Sequence, residues 1–371
     1  MADLILALNA GSSSLKFELA EAPSPDTAIL SGRVERIGED VPRLTIDAPS
    51  GRTSEDLPPS DHHAALAAVT AAVAHHVPGA RIAGVGHRIV HGGTRFDAPV
   101  IVTNAILAEL EAIRALAPLH QPAGLAGISA ATAAAPSAIQ VACFDTGFHA
   151  GQPRLHDAYA LPRSLYDEGI RRYGFHGLSC SSILRALGAE GYPVADRRIA
   201  IAHLGSGCSV TAVAGGQSLA TSMGFSTLDG LTMGTRPGHL DPGVLLHLMR
   251  QGHDADSLER LLYKQSGLLG LSGLSNDMRD LRNSDAPEAA EAIAHFTARI
   301  VEEICRMAGA MGGLDTVVFC GGIGENDPET RADIAAGLAF LPGHAGQGVD
   351  FLTRETKEER EVLHAVAACL K

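Results

Sequence analysis

The sequence lacks several features that mark common protein classes. It contains no tryptophan, and aromatic residues make up 4% of its 371 residues. Acidic residues outnumber basic ones and give a formal net charge of −13, so no basic surface for nucleic acid or an anionic membrane is expected. No apolar run is long enough to span a membrane, and no signal peptide is recognised. We therefore expect a cytoplasmic protein that binds neither nucleic acid nor membrane.

Two sequence patterns with well-defined chemistry are also missing. The six cysteines are scattered without a CxxC pair, which argues against a structural zinc site or a disulfide framework and suits a reducing compartment. The motif GxxxxGK[ST] is absent, which excludes a P-loop protein. With 46% hydrophobic residues, the chain is long enough for two domains with buried cores.

Two similar turns rich in Gly and Ser open the two halves of the chain. The first lies within residues 8–17 and follows an apolar run at 4–8; the second, at 203–209, follows an apolar run at 199–202. Each indicates a β-hairpin whose turn exposes N–H groups and hydroxyls that suit phosphate oxygens. The repeat predicts two related domains that face each other across a ligand-binding cleft. The alternative is two ordinary hairpins.

The pattern of apolar residues predicts an α/β protein with two mixed sheets. Strands are predicted at 4–8, 15–20, 28–34, 43–48, 82–85, 138–144, 199–202, 210–214, 218–221 and 316–319. Helices are predicted at 61–76, with Asp61 as the N-cap, and at 105–115, 177–188, 242–249, 255–264, 287–309, 328–336 and 356–369. Residues 320–326 are predicted to form a turn and 343–348 a loop.

A few charged side chains near predicted strand ends are candidates for chemistry. Arg88 lies between an apolar strand and a double glycine, and Arg236 lies in a similar Gly-containing segment. The planar arginine fork binds carboxylate or phosphoryl oxygens through two contacts. Asp145 follows an apolar strand, where α/β sites usually lie, and His176 lies between glycines. Each also has a structural interpretation, as an ion pair that fixes a loop or as a buried histidine with satisfied hydrogen bonds.

Nine short motifs occur in an order that resembles the acetate kinase family of the actin, hexokinase and Hsp70 superfamily. The resemblance runs from residue 4 to about residue 340. It implies duplicated actin-like, ribonuclease H-like domains with mixed sheets, at 1–147 with the terminal helix 357–371, and at 148–356. The motifs are Asn9–Lys16, 87–93, 117–120, 144–146, 173–177, 203–207, 233–236, 277–279 and 322–326.

This resemblance implies reversible phosphoryl transfer between ATP and acetate, with Mg²⁺ or alternatively Mn²⁺ as cofactor. It implies that Arg88 and Arg236 bind the carboxylate and the transferring phosphoryl group. His176, helped by His120, would stabilise charge on the phosphoryl oxygens. Asp145 would orient groups or Mg²⁺ rather than abstract a proton, because a carboxylate substrate is already ionised. A homodimer is expected from the family alone.

The binding residues are implied by the same resemblance. Mg²⁺ is assigned to Asn9 and Glu358. The substrate pocket is assigned to Arg88, Val90, Leu119, Phe175 and Thr227. The nucleotide and its phosphates are assigned to Asn9, Ser12, Ser14, Lys16, His203, Leu204, Gly205, Ser206, Gly207, Asp277, Met278, Arg279, Gly322, Ile323, Gly324, Glu325 and Asn326.

Some positions depart from the family pattern. Gln121 and Ser206 each replace an Asn, and Thr227 replaces a Pro of the acyl pocket. The chain is shorter after Phe340, which leaves Glu358 either as a metal ligand or as the solvated acidic start of a helix. The alternatives are a propionate or butyrate kinase and a non-catalytic nucleotide-dependent switch. The two site arginines argue against a sugar kinase of the same superfamily.

Overall fold

The computed structural model describes residues 3–11, 13–79, 81–118 and 120–371. The chain divides into two compact units, which are Met1–Phe148 with Lys357–Lys371 (unit 1) and His149–Thr356 (unit 2). Among the described residues, no helix is long and apolar enough to cross a membrane.

Each unit contains both strands and helices. The strands are β1 Asp3–Ala10, β2 Ser14–Glu21, β3 Ser24–Glu35, β4 Arg43–Ala48, β5 Gly51–Asp56, β6 Arg81–Ile89, β7 Val100–Ile101, β8 Ile139–Phe144, β9 Ile199–Leu204, β10 Cys208–Ala214, β11 Gln217–Thr221, β12 Thr316–Cys320 and β13 Asp350–Thr353. The helices are α1 His62–His76, α2 Asn104–Ala112, α3 Gln121–Ala134, α4 Arg154–Asp157, α5 Arg163–Asp167, α6 Gly177–Ala189, α7 Pro242–Arg250, α8 Ala255–Lys264, α9 Gly267–Ser272, α10 Met278–Arg282, α11 Pro287–Met311, α12 Gly321–Asn326, α13 Pro328–Gly337 and α14 Glu358–Cys369. Short 3-10 helices occupy Arg114–Leu116, Gly147–His149, Val194–Asp196 and His344–Gly346.

The sheet of unit 1 has the strand order β5-β4-β3-β2-β1-β6-β8-β7. β1, β6 and β8 run parallel, whereas β1 to β5 form an antiparallel meander. β1 is buried from Leu4 to Leu8, as is typical of a strand in a parallel sheet. Both α3 and α14 pack against β1 and β6. The carboxyl ends of three neighbouring parallel strands therefore lie at one edge of this sheet.

A glycine sets how closely α14 approaches the sheet of unit 1. A Cβ atom at Gly86 would lie 2.3 Å from Cγ1 of Val362 and 2.7 Å from Cγ2 of Val366. Both valines are buried residues of α14. Because any side chain at position 86 would occupy this space, Gly86 lets α14 lie directly on β6.

The sheet of unit 2 has the strand order β11-β10-β9-β12-β13. β9 pairs antiparallel with β10 and parallel with β12, and β13 extends the parallel part. The long helix α11 packs against β9, β10 and β11. Its buried face includes Ile293, Phe296, Ile300 and Ile304, as the spacing of these residues predicts. Each unit thus combines a hairpin with parallel strands beside its first strand.

Most elements predicted from the sequence are present. The two predicted hairpins are confirmed, and Asp61 caps α1 by accepting a hydrogen bond from the N–H of Ala64 at 2.9 Å. The predicted turn after β12 is wrong, since residues 321–326 form the short helix α12. The edge strands β5 and β13 are missed because their mostly exposed residues give no alternating apolar pattern.

Replacing Gly86 with alanine would put a methyl group where α14 packs. The two nearest side chains belong to a buried helix face and would have to move. We therefore expect the free energy of unfolding to fall by about 1–3 kcal/mol. Urea denaturation followed by circular dichroism measures this change.

Gly309→Ala is the matched control for this substitution. Gly309 lies on the exposed side of α11, and a Cβ atom there would meet no atom of another element within 4 Å. Since alanine favours helix, we expect stability to rise by up to about 1 kcal/mol. Equal destabilisation by the two substitutions would contradict the packing role of Gly86.

Candidate active site

Three candidate residues of unit 1 lie where neighbouring parallel strands end. Asn9 is near the end of β1, Arg88 is near the end of β6, and Asp145 directly follows β8. The parallel pairing of these strands brings the three positions to one edge of the sheet. This edge is where ligands bind in α/β proteins.

Two carboxylates enclose the guanidinium of Arg88. Its Nε and Nη2 atoms donate to Asp145 at 2.9 and 2.7 Å, and its Nη1 atom pairs with Glu358 at the start of α14. The side chain of Asp145 is only 3% exposed. Burial by itself would lower the pKa of Arg88, but the charges of Asp145 and Glu358 outweigh burial and raise that pKa. Arg88 is therefore a permanent cation.

The amide of Asn9 joins the same group of side chains. Its Nδ2 atom donates to Glu359 at 3.0 Å and to Glu358 at 3.4 Å. Glu358 is buried, so it is not the solvated helix start that the shortened C-terminal segment allowed. Glu359 is a candidate that the sequence reasoning missed, and its one signal is its position next to Glu358 at a predicted helix start.

Two carboxylates share one arginine in this part of unit 1, and a third, Glu359, lies beside them at Asn9. The pKa of Asp145 is raised, mainly by burial and further by the negative charge of Glu358. The positive charge of Arg88 lowers it, but not enough to reverse the shift. Together with Glu359, the carboxylates exceed the single positive charge of Arg88. A bound cation would relieve this excess. Within the described residues, no three His, Cys, Asp or Glu side chains form a ready-made metal-binding group.

The β1–β2 turn carries the predicted phosphate contacts of unit 1. Lys16 pairs with Asn9 across the hairpin, and its side chain is exposed. The N–H of Gly11 donates to the carbonyl of Ser14 at 2.8 Å and closes the turn. Ser12 lies outside the described residues. An exposed ammonium next to Asn9 fits a phosphate contact.

The acyl pocket predicted in unit 1 is described only in part. Val90 is half-buried directly after β6, and His120 is the exposed residue that precedes α3. Leu119 lies outside the described residues. Gln121, the first residue of α3, is buried and its Nε2 atom donates to the carbonyl of His91 at 3.2 Å. Gln121 thus links α3 to the loop after β6.

In unit 2, His176 lies against the turn between β9 and β10. Its Nδ1 atom is 2.9 Å from the hydroxyl of Ser209, and its ring stacks on His203 with the ring centroids 4.1 Å apart. His176 also has a left-handed backbone, with φ of 60°, where α6 begins. These contacts fix the orientation of the imidazole. Ser209 was not among the predicted site residues.

The same turn passes close to Arg236, so a side chain at position 207 would displace the end of that arginine. A Cβ atom at Gly207 would lie 2.7 Å from Nη2 of Arg236 and 3.5 Å from Nε2 of His176. Arg236 donates from Nη1 to the carbonyl of Thr227 at 2.7 Å, and no carboxylate of the described residues forms an ion pair with it. Burial lowers the pKa of Arg236. A partly buried arginine without an acidic partner is suited to bind an anion.

The predicted acyl-pocket residues of unit 2 have different environments. Phe175 is 1% exposed and belongs to the core. Thr227 is half-buried and offers its backbone carbonyl to Arg236. The link between Thr227 and Arg236 is therefore a backbone contact, which residue types alone do not reveal.

Two of the three predicted nucleotide segments lie side by side. A Cβ atom at Gly205 would be 3.7 Å from the backbone nitrogen of Gly322, so the β9–β10 turn touches the start of α12. The side chain of Glu325 accepts a hydrogen bond from the N–H that begins this helix, at 2.9 Å. The third segment begins α10, where Arg279 is 86% exposed and pairs with Asp277 at 2.6 Å.

Comparison with known proteins gives consistent matches along the chain. The family model described as the acetokinase family matches residues 4–361. The acetate kinase of Rhodopseudomonas palustris (strain TIE-1) is 47% identical over 349 residues, which cover 92% of this chain and 87% of that protein. The crystal structure of Porphyromonas gingivalis acetate kinase has a TM-score of 0.87 and 34% identity, and the match covers 100% of both chains. A propionate kinase structure from Francisella tularensis has a TM-score of 0.89 and 32% identity, with 98% of both chains covered.

These matches cover the candidate residues of both units. The structural likeness identifies the two mixed sheets as those of the actin-like ATPase fold, as the sequence motifs predict. The family match includes Asn9, Arg88, Asp145 and Glu358 in unit 1 and Arg236 in unit 2. The chain belongs to the acetokinase family.

Proposed function

We propose that the protein catalyses reversible transfer of the γ-phosphoryl group of ATP to the carboxylate of acetate, which yields acetyl phosphate and ADP. The observation that carries this proposal is Arg236, an arginine without an acidic partner, close to the oriented His176 in a chain of this family. A carboxylate nucleophile is ionised at neutral pH, so the reaction needs no strong base. It needs cations that hold anions and stabilise charge on the phosphoryl oxygens.

In unit 2, we propose that Arg236 and His176 contact the substrate carboxylate and the transferring phosphoryl group. Arg236 uses one N–H for the carbonyl of Thr227, and its remaining donors suit carboxylate or phosphoryl oxygens. The bond to Ser209 orients the ring of His176 for an interaction with the transferring group. Both side chains act by stabilising charge, which is the main catalytic requirement of phosphoryl transfer.

In unit 1, we propose that Arg88 also binds carboxylate or phosphoryl oxygens and that Asp145 orients the side chain of Arg88. Asp145 accepts from both Nε and Nη2, and this two-point contact fixes the plane of the guanidinium. Asp145 is thus a positioning group rather than a proton acceptor. Lys16, exposed opposite Asn9, is assigned to phosphate.

Mg²⁺ fits the excess of acidic oxygen atoms around Asn9 and Glu358. This ion prefers oxygen ligands and binds through one or two carboxylates together with substrate phosphates. Asn9, Glu358 and Glu359 offer such oxygens, and the single charge of Arg88 does not balance the acidic groups. Bound Mg²⁺ would supply charge neutralisation for the phosphates. Mn²⁺ has a similar ligand preference and is the expected substitute.

A propionate kinase is the second candidate, because a structure of that name matches this chain along its length. The residues assigned to the acyl pocket include Val90, Phe175 and Thr227. One methylene group in such a pocket changes binding by only about 1–3 kcal/mol. We place acetate first because the relative at 47% identity carries the name acetate kinase.

We also propose that the protein is a cytoplasmic homodimer. The cysteines of the described residues are free thiols, as a reducing compartment favours. The dimer is proposed from the family resemblance alone.

Trapping of the acyl phosphate tests the proposed reaction. Hydroxylamine converts an acyl phosphate to a hydroxamate, so the protein is incubated with ATP, Mg²⁺ and acetate, propionate or butyrate in parallel. We expect product with acetate and a kcat/KM for acetate that is about tenfold or more above that for propionate. Absence of product with all three acids, despite measurable ATP binding, would contradict the proposal and favour a non-catalytic nucleotide-dependent switch.

Replacing Arg236 with glutamine separates turnover from nucleotide binding. The change removes a cation from the reacting groups, so we expect kcat to fall by about 10²–10³-fold. The Kd for ADP, measured by calorimetry, is expected to stay within about threefold, a difference below 1 kcal/mol.

Arg250→Gln is the matched control, since Arg250 is an exposed residue at the end of α7. We expect wild-type turnover and wild-type ADP affinity from this variant. Loss of ADP binding together with turnover in Arg236→Gln would show that Arg236 serves the nucleotide or the fold instead.

A further inference from the structure

The segment that carries Arg236 is a loop closed at its base. The N–H of His239 donates to the carbonyl of Gly230 at 2.8 Å, and the N–H of Met233 donates to the carbonyl of Arg236 at 3.0 Å. The side-chain hydrogen bond described for Arg236 goes to the nearby Thr227. Residues 233–235 are also hydrogen-bonded to residues 263–269. The base of the loop is therefore one of two anchors that position the guanidinium of Arg236.

A row of alternating charges runs through the base of this loop. Asp229 accepts from Arg172 at 3.0 Å, and its other oxygen is 2.9 Å from Nδ1 of His239. The Nε2 atom of His239 is 3.5 Å from Glu303, which in turn pairs with Arg306 at 2.5 Å. The imidazole of His239 is thus the central member of the row.

The two ends of the row are fixed to unit 2 by further contacts. Glu303 is a residue of α11, and its side chain is only 5% exposed. Arg306, one turn later, donates to the carbonyl of Thr221 at 3.2 Å. Arg172 donates to the carbonyl of Ser222 at 2.7 Å. His239 therefore connects the base of a loop to a helix and a strand end that are themselves anchored.

A doubly protonated ring suits the two carboxylate contacts of His239 best, although its side chain is 55% exposed. A neutral imidazole has one N–H donor, whereas the imidazolium has two. Because Nδ1 faces Asp229 and Nε2 faces Glu303, only the protonated ring can donate to both carboxylates. Loss of the proton removes one N–H donor and the positive charge between the two carboxylates, which keep their bonds to Arg172 and Arg306.

We propose that His239 is a positioning residue for phosphoryl transfer, whose imidazolium links the Arg236 loop to α11 through Asp229 and Glu303. This inference rests on the proposed function, because it takes Arg236 as an anion-binding group of the reaction. Deprotonation of His239 weakens the link between the base of the loop and α11, and the placement of Arg236 becomes less defined.

The neighbouring carboxylates raise the pKa of His239, so its ring loses the proton only well above neutral pH. Hydrogen bonds to Asp229 and Glu303 raise the pKa of His239 from 6.5 to about 9, and burial opposes this only in part. Burial would raise the pKa of Asp229, but His239 and Arg172 outweigh it and lower that pKa to about 2. Burial would also raise the pKa of Glu303, but His239 and Arg306 outweigh it and lower that pKa. Because the folded-state pKa of His239 exceeds its unfolded value, the link is complete below about pH 6.5 and is lost as the pH rises through about 9.

The test compares kcat/KM for acetate across alkaline pH in the wild type, His239→Gln and His239→Arg. Glutamine carries no charge, so we expect its kcat/KM to be about fivefold below the wild-type value near pH 7.5 and equal to it above about pH 10. Arginine keeps charged donors at every pH, so His239→Arg is expected to retain the neutral-pH activity of the wild type through about pH 10.

His253→Gln is the matched control, because His253 is exposed in the segment before α8. We expect it to follow the wild type at every pH. The inference is overturned if His239→Gln shows the same relative loss at neutral and alkaline pH, or if His239→Arg loses activity over the same pH range as the wild type.

An NMR titration of the ligand-free protein distinguishes this link from the proposed reaction. The ring signal of His239, identified by its absence in His239→Gln, is expected to titrate near pH 9. A midpoint near 6.5 would overturn the link even in an active enzyme. A midpoint near 9 in a protein that forms no acyl phosphate would instead overturn the proposed function.

Discussion

The pairing of Arg88 with Asp145 and Glu358 is the interaction on which unit 1 depends. Asp145 follows a strand of the parallel sheet, whereas Glu358 begins the last helix of the chain, 270 residues after Arg88. One partly buried guanidinium thus holds the sheet edge and α14 together. Removing Arg88 is costly, because Asp145 and Glu358 would then lie together without the cation between them. The close approach of α14 at Gly86 serves the same arrangement by bringing its first turn to the strand ends.

Unit 2 has the opposite charge imbalance, because its candidate arginine has no carboxylate beside it among the described residues. Arg236 has no acidic partner in the part of the chain that the structure describes, and its neighbours are the glycine turn at Gly207 and the ring of His176. Unit 1 therefore has more negative than positive charge at its candidate residues. Unit 2 has an arginine whose positive charge is not balanced by any described carboxylate. Mg²⁺ would balance the negative charge in unit 1, and phosphate or carboxylate oxygens would balance the charge of Arg236 in unit 2. The charge distribution thus agrees with phosphoryl transfer to a carboxylate.

Local patterns predict much of this structure and non-local contacts explain the rest. The two hairpins, α1 with its cap at Asp61 and the buried face of α11 follow from periodicity and turn residues. The edge strands β5 and β13 are missed because their own residues are mostly exposed and give no alternating apolar pattern. The burial of Glu358, the contact of Glu359 with Asn9 and the row of charges at His239 join residues far apart in sequence, which spacing cannot reveal. Residue types identify arginine, aspartate and histidine as candidates, but only the fold shows which are paired.

A double-mutant cycle between Arg88 and Glu358 tests the central claim most directly. The free energies of unfolding of the ligand-free wild type, Arg88→Met, Glu358→Gln and the double variant are measured in urea. If Arg88 compensates Glu358, the loss caused by Glu358→Gln disappears or reverses once Arg88 is gone, with a coupling energy of about 1–3 kcal/mol. Effects that add within about 0.5 kcal/mol would contradict the account.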